Sequence, residues 1–171
     1  GAAALAAPAV SAQDRLTAAA ASIDGRQRQA GAGGTVFFHC RAASCPAGAA
    51  VSYRMQGTGA QMTMEAFRNH HEMLGRRMVE QSQGRFTRVD LIEISQSREG
   101  GAEVLTAVRL VARAEGGDEF MASSVVVDEG RRFSIVSTAR TEGDARTGLR
   151  MFLPVVLMQT RLDAGRPTRA P

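Results

Sequence analysis

The chain has 171 residues, 44% of them hydrophobic, a length that suits one sizeable core rather than two. Its formal net charge is +4 at pH 7, and every one of its 21 basic residues is an arginine. The absence of lysine excludes Schiff-base catalysis, a lysine general base and a phosphate-loop lysine. The arginines are scattered among acidic residues, and one Tyr and no Trp are available for base stacking. We therefore expect no nucleic-acid partner.

The first twelve residues are typical of the end of a secretory signal peptide. Val10-Ser11-Ala12 has the small-x-small pattern of a cleavage site before Gln13, and Pro8 suits the region just ahead of it. We interpret residues 13–34 as an N-terminal extension or linker, because no hydrophobic period runs through 25–34. The pattern predicts an exported protein, periplasmic or secreted. Since no stretch reaches the roughly 18 apolar residues that span a bilayer, we expect no transmembrane segment.

Both cysteines border one short loop. A predicted strand over 35–39 leads into Cys40, and Cys45 follows after four intervening residues, before the extended pattern resumes at Val51. In an oxidising compartment this arrangement favours a Cys40–Cys45 disulfide. Such a small loop contributes about 2 kcal/mol by chain entropy, so its main effect is local rigidity. The spacing is not Cys-x-x-Cys, which disfavours thioredoxin-like redox chemistry.

The clearest predicted helix begins at Thr63 and ends before Gly84. Apolar residues recur at spacings of three and four, which gives the helix one buried stripe. The stripe consists of Met64, Phe67, His71, Leu74 and Met78. His71 on this stripe is expected to be a core or half-buried residue, whereas His70 is expected on the solvated flank. The methionines, including Met62 and Met73, are better explained by core packing than by copper binding.

A predicted strand over 86–95 precedes a β-meander that runs from Glu103 to Arg140. Gly-containing turns at 115–118 and 128–130 separate its three antiparallel strands. In the first of these strands Arg109 and Arg113 fall on the side expected to be wetter. The final helix has capping residues Thr141 and Asp144, and Pro154 is expected to kink or interrupt it. Residues 163–171 are expected to form a disordered basic tail, which leaves 35–162 as a single α+β domain.

The order of these elements resembles the PsbP-like and DcrB-like superfamily of small exported domains. The likeness covers Met62 to Leu162 and lies in the meander over 102–139, its turn into the last strand, and the closing helix with Phe152. The resemblance implies an α+β fold in which helices flank an antiparallel sheet with the meander at its centre. It also implies a non-catalytic binding or accessory role, and it supplies no site residues.

Two functional classes follow. The first is a non-catalytic, exported binding or accessory protein without a cofactor, whose partner is a protein or small molecule of the cell envelope. The alternative is a metal-handling or redox protein that binds zinc or copper. Its ligands would come from His39, Cys40, Cys45, His70 and His71. Local catalytic signatures such as Gly-x-Ser-x-Gly and His-Glu-x-x-His are absent, so an enzyme is less expected. The favoured places for a site are the cysteine loop and the junction between the His71 helix and the sheet.

Overall fold

A computed structural model describes residues 26–30, 32–40, 43 and 45–165, and within 26–30, 32 and 39–40 it describes the backbone only. The predicted signal-peptide end and the basic tail beyond 165 lie outside the described residues.

The described part of the chain contains seven strands, two α-helices and one short 3₁₀ turn at Ala32–Gly34. The elements are β1 (Arg26–Ala30), β2 (Val36–Cys40), β3 (Ala50–Thr58), α1 (Met64–Gln81), β4 (Phe86–Glu99), β5 (Ala102–Arg113), β6 (Glu119–Asp128), β7 (Arg131–Ala139) and α2 (Glu142–Ala164). Both helices begin at the predicted threonines. Thr63 Oγ1 accepts the Ala66 N–H at 3.1 Å, and Thr141 Oγ1 accepts the Asp144 N–H at 3.1 Å. Neither helix of this part is long and apolar enough to cross a membrane.

The strands form one antiparallel sheet in the order β1-β2-β3-β7-β6-β5-β4. The predicted meander is confirmed as β5, β6 and β7. Its second turn has positive φ at both Glu129 (48°) and Gly130 (75°), the backbone that a two-residue hairpin turn with the right twist requires. The predicted fold class, α+β with an antiparallel sheet flanked by helices, is confirmed.

The two helices cover opposite faces of the sheet: α1 packs on β4 and β5, and α2 packs on β7, β6 and β3. Alternate residues of β5 therefore enter two different cores. Val104 and Val108 join the larger core under α2, while Leu105 and Ala107 pack with Phe67 of α1 in a smaller one. The expectation that one side of this strand is wetter is wrong at this point, because α1 covers the side that carries Arg109.

Each helix approaches the sheet closely through a glycine. A Cβ on Gly148 of α2 would overlap Ser137 Oγ of β7, and a Cβ on Gly75 of α1 would lie 3.3 Å from Val89 Cγ1 of β4. A side chain at either position would push the helix away from its strand. The absence of a side chain at Gly75 therefore sets the spacing between α1 and β4.

The structure differs from the sequence-based expectation at β1. Arg26–Ala30 lie in the stretch interpreted as an extension, yet they pair with β2 in register from Arg26↔Cys40 to Ala30↔Val36. An edge strand is held by backbone hydrogen bonds to a single neighbour, so its polar sequence gives no hydrophobic alternation to recognise.

A second difference concerns Pro154, which does not interrupt α2. The helix continues from Glu142 to Ala164. Both Pro154 and Arg150, four residues earlier, are exposed, so water can replace the hydrogen bond that the proline cannot donate.

A buried carboxylate ties the end of α2 to two hairpin turns. Asp128 has a side chain only 5% exposed and accepts two hydrogen bonds from Arg161, both at 2.8 Å, and one from Arg131 at 3.2 Å. Arg161 also donates to the Gly100 carbonyl, and Arg131 donates to the Thr160 carbonyl, each at 2.8 Å. Hydrogen bonds from Arg161 lower the pKa of the Asp128 carboxyl below its ordinary value. This network fixes α2 against the meander.

We expect Asp128→Asn to lower the free energy of unfolding by about 2 kcal/mol at pH 7, because charge-assisted hydrogen bonds to both arginines are lost. Since the pKa of the carboxyl is lower in the folded state, its stabilising contribution is complete above pH 3.8 and is lost as the pH falls below that value. Urea titration measures both effects. The matched control is Asp90→Asn, which removes an exposed partner of Arg88 and should change stability by less than about 0.5 kcal/mol. Equal losses in the two variants would contradict the role of Asp128.

Candidate ligand-binding groove

A groove of about 480 Å³ lies between α1 and the strand pair β4–β5. Its inner lining is apolar, formed by Gly75 and Val79 of α1 and by Val89 and Leu91 of β4. The lining residues that carry polar side chains are His71, Glu72, Arg76, Glu80, Thr87, Arg88 and Arg109. Because α1 is amphipathic, it buries its apolar stripe against the sheet. Gly75 brings the helix close to β4, and side chains between His71 and Glu80 line one side of the open groove.

His71 occupies the base of this groove. It is 6% exposed, and its ring meets the edge of Phe67 with centroids 4.3 Å apart. Its Nδ1 accepts a hydrogen bond from the Nη2 group of Arg109, which fixes the tautomer with the proton on Nε2. The expected burial of His71 agrees with the structure, and its hydrogen-bond donor is the guanidinium of Arg109.

Arg109 is the most deeply buried charged residue described, with 1% of its surface exposed. Its Nη1 group contacts the Met78 sulfur at 3.5 Å, a weak acceptor, and its Nε–H has no hydrogen-bond partner among the described residues. None of the ion pairs formed within 45–165 involves Arg109. Burial lowers the pKa of the Arg109 guanidinium, but an arginine side chain stays protonated in proteins. The groove thus contains a buried positive charge without a protein counter-ion in this part of the chain.

The imidazole of His71 is neutral. Burial, the charge of Arg109 and, to a lesser extent, His70 lower its pKa from 6.5 to about 3. A base of this strength is far from the value near neutrality that general acid–base catalysis favours. We therefore interpret His71 as a hydrogen-bond acceptor that positions Arg109.

The rim of the groove carries charges of both signs. Glu72, Arg76 and Glu80 are exposed on α1, and Arg88 is exposed on β4, where it pairs with Asp90 at 2.6 Å. With Arg109, the lining has three arginines and two glutamates, a net charge of +1. The two exposed arginines balance the two exposed glutamates, so the net positive charge is that of buried Arg109. The favourable position for an anion is therefore at the base of the groove.

The structure separates the residues of the predicted metal site. His39 and Cys40 lie on β2 and Cys45 follows it, whereas His71 packs against Arg109 of β5. Four strand intervals separate β2 from β5 in the sheet order, a distance of roughly 19 Å. The backbone of the cysteine loop and the helix histidines therefore belong to widely separated elements of the fold.

No three His, Cys, Asp or Glu side chains among those described converge as metal ligands. His70 is exposed, and its ring centroid lies 5.4 Å from that of His71. The side chains of His39 and Cys40 lie outside the described residues, so the disulfide and a zinc or copper site limited to His39, Cys40 and Cys45 stay predictions. Among the predicted metal residues whose side chains are described, His71 is the one that lines the groove.

Sequence reasoning missed Arg109 as a site residue. The available signal was its position among Leu105, Ala107 and Val111 on one side of a strand, because an arginine surrounded by apolar neighbours on a strand face is a candidate for burial. That signal becomes decisive only when α1 is known to cover this side.

The fold defines an α+β protein with two helices on opposite faces of an antiparallel sheet. Its similar solved structures include the cyanobacterial PsbP protein (CyanoP) of Synechocystis sp. PCC 6803, 15% identical with a TM-score of 0.48 over 80% of this chain and 92% of that chain. A PsbP protein is thus among the structures that this chain resembles, as its sequence pattern predicted.

Two further structures are more distant. A Pseudomonas aeruginosa protein of unknown function is 11% identical (TM-score 0.37, 85% of this chain and 99% of that chain). A STAR-related lipid transfer protein of Xanthomonas axonopodis is 7% identical (TM-score 0.33, 82% and 99%). No protein-family model and no curated protein matches the sequence.

We expect His71 to make stability depend on pH between 5 and 7. Its folded pKa of about 3 lies below its ordinary 6.5, so the unfolded chain takes up a proton first as the pH falls. The contribution is complete above pH 6.5 and declines toward pH 3, by about 2 kcal/mol at pH 5. Urea unfolding at pH 7 and pH 5 measures this loss, which His71→Gln should abolish. His70→Gln, at the exposed neighbour, should retain it. A His71→Gln variant with the wild-type loss would contradict the buried neutral state.

Proposed function

We propose that this protein is an exported, non-catalytic binding protein that holds a small molecule in the groove between α1 and β4. The observation that carries the proposal is the groove itself. Its volume of about 480 Å³ falls within the range of small-molecule sites, roughly 300 to 1,000 Å³. Its inner walls are apolar, and its polar groups lie at the base, where His71 and Arg109 are buried, and along the exposed rim. Apolar walls with a few polar groups at the base are typical of such sites.

The rigidity of the groove supports the same function. Strand β4 pairs with β5 from Phe86 to Glu99, with register shifts between Phe86 and Arg88 and between Leu91 and Glu93. Helix α1 is fixed by Phe67 in the small core and by its cap at Thr63. Preformed walls lower the entropy lost when a ligand binds. The neutral His71 supports binding rather than proton transfer, since its pKa of about 3 makes it a weak base at neutral pH.

Export is supported by residues 1–12 and by the two cysteines at one loop. Cys40 is the last residue of β2, and Cys45 lies half-buried in the connection to β3. A disulfide there would brace this connection, which contacts the end of the meander through the hydrogen bond from Arg140 N–H to the Ala47 carbonyl. The partner belongs to the cell envelope under this proposal.

A ligand screen by protein-observed NMR tests the groove. We expect small aromatic and aliphatic fragments to shift the amide signals of Gly75, Val89 and Leu91. Val79→Trp, which places a large ring in the groove, should abolish these shifts. Met73→Trp adds the same ring to an exposed position of α1 outside the groove and should leave them unchanged. Fragment shifts that cluster elsewhere, or turnover by the purified protein in a broad hydrolase and oxidoreductase panel, would overturn the proposal.

The thiol content tests the exported state. We expect protein isolated from the envelope of its source cells to begin at Gln13 and, when denatured without reductant, to show no free thiol. Reduction should release two. Two free thiols together with stoichiometric zinc or copper would instead support the metal-handling alternative at His39, Cys40 and Cys45. A protein retained in the cytoplasm with its first twelve residues intact would contradict export.

A further inference from the structure

We infer that the groove binds an organic monocarboxylate, whose carboxylate pairs with Arg109 while its apolar part lies against Val79, Val89 and Leu91. This inference rests on the proposed function and adds the chemical class of the ligand.

The first support is the uncompensated charge. Arg109 is 1% exposed, and no carboxylate of the described residues pairs with it. Buried charges in proteins are ordinarily paired, because removing an ion from water costs several kcal/mol. Asp128 shows the ordinary solution in the same molecule, with three charge-assisted hydrogen bonds. An anionic ligand would supply the counter-ion that the described residues do not provide for Arg109.

The second support is the geometry of the donors. A guanidinium carries five N–H groups in a plane, and Arg109 directs one to His71 Nδ1 and one to the Met78 sulfur. Its Nε–H is unpartnered. A carboxylate accepts two parallel N–H donors, and replacement of the weak sulfur acceptor by carboxylate oxygens is strongly favourable. Met78 is an unbranched, adaptable side chain that can move aside.

The third support is the balance of charge and apolar surface. One buried arginine beside a neutral imidazole provides a single positive charge, which matches a monoanion better than a phosphate dianion. The other inner walls are aliphatic and would remain unused by a small inorganic ion. A carboxylate with an aliphatic or aromatic body satisfies both features.

Calorimetric titration with octanoate, its neutral analogue octanol and inorganic phosphate tests the inference. We expect wild-type protein to bind octanoate about tenfold or more tightly than octanol, since one charge-assisted pair distinguishes them. Octanoate and octanol that bind equally tightly would overturn the carboxylate assignment and leave the groove proposal standing. Phosphate that binds more tightly than octanoate would also overturn it. If none of the three compounds binds but fragments still shift signals in the groove, the carboxylate assignment is wrong and the groove proposal stands.

The variant Arg109→Met separates a ligand-binding role from a structural one. Replacement of an unpaired buried charge by an apolar side chain of similar volume should maintain or raise the melting temperature, and it should remove the preference for octanoate over octanol. Arg98→Met makes the same change of charge at an exposed position and should retain the preference. A less stable Arg109→Met variant that keeps the preference would overturn the inference. If Arg109→Met does not fold, Arg109→Lys is the second test, because it preserves the positive charge. A folded Arg109→Lys variant that shows no preference for octanoate over octanol would also overturn the inference.

Discussion

Burial of β5 on both faces is the constraint on which the rest of the structure depends. The strand lies second from one edge of the sheet, with the small core under α1 on one side and the larger core, which α2 shares, on the other. Because a strand alternates its side chains between faces, α1 covers whatever residues occupy the odd positions, including Arg109. The close approach permitted by Gly75 brings α1 against β4 beside this strand, and Arg109 is 1% exposed at the base of the groove. The helix packing that builds the small core is also what desolvates the charge at the base of the groove.

The two buried charges among the described residues, Asp128 and Arg109, have opposite surroundings. Asp128 accepts hydrogen bonds from Arg131 and Arg161, which also donate to neighbouring backbone carbonyls. This network has a structural role, because it fixes α2 against the meander. Arg109 has a neutral imidazole and a thioether as partners. Half-satisfied buried polar groups are destabilising, and proteins retain such groups mainly at functional sites. This contrast between the partners of Asp128 and those of Arg109, together with the groove's volume, is the reason for assigning a function to the groove.

Local signals in the sequence were sufficient for much of the fold. The meander, its glycine turns and the two helix caps depend on neighbouring residues, and all were predictable from spacing and turn chemistry. The position of β3 beside β7 depends on contacts between distant residues, so no local pattern encodes it. Strand β1 pairs with its neighbour along the chain, β2, but its polar sequence has no hydrophobic alternation to indicate a strand. The same holds for the site. The stripe identified His71 as buried, but its partner lies 38 residues away on another element, and only the packing of α1 onto β5 brings them together.

His71 and Arg109 act as a unit because each determines the state of the other. The charge of Arg109, added to burial, keeps the imidazole neutral, and the neutral Nδ1 is the acceptor that holds the guanidinium in place. Protonation would place two positive charges in contact and break the hydrogen bond between them. At neutral pH the pair therefore presents one fixed charge and exchanges no proton. An arrangement of this kind recognises an anion by position, whereas acid–base catalysis would need an imidazole that gains and loses its proton near pH 7.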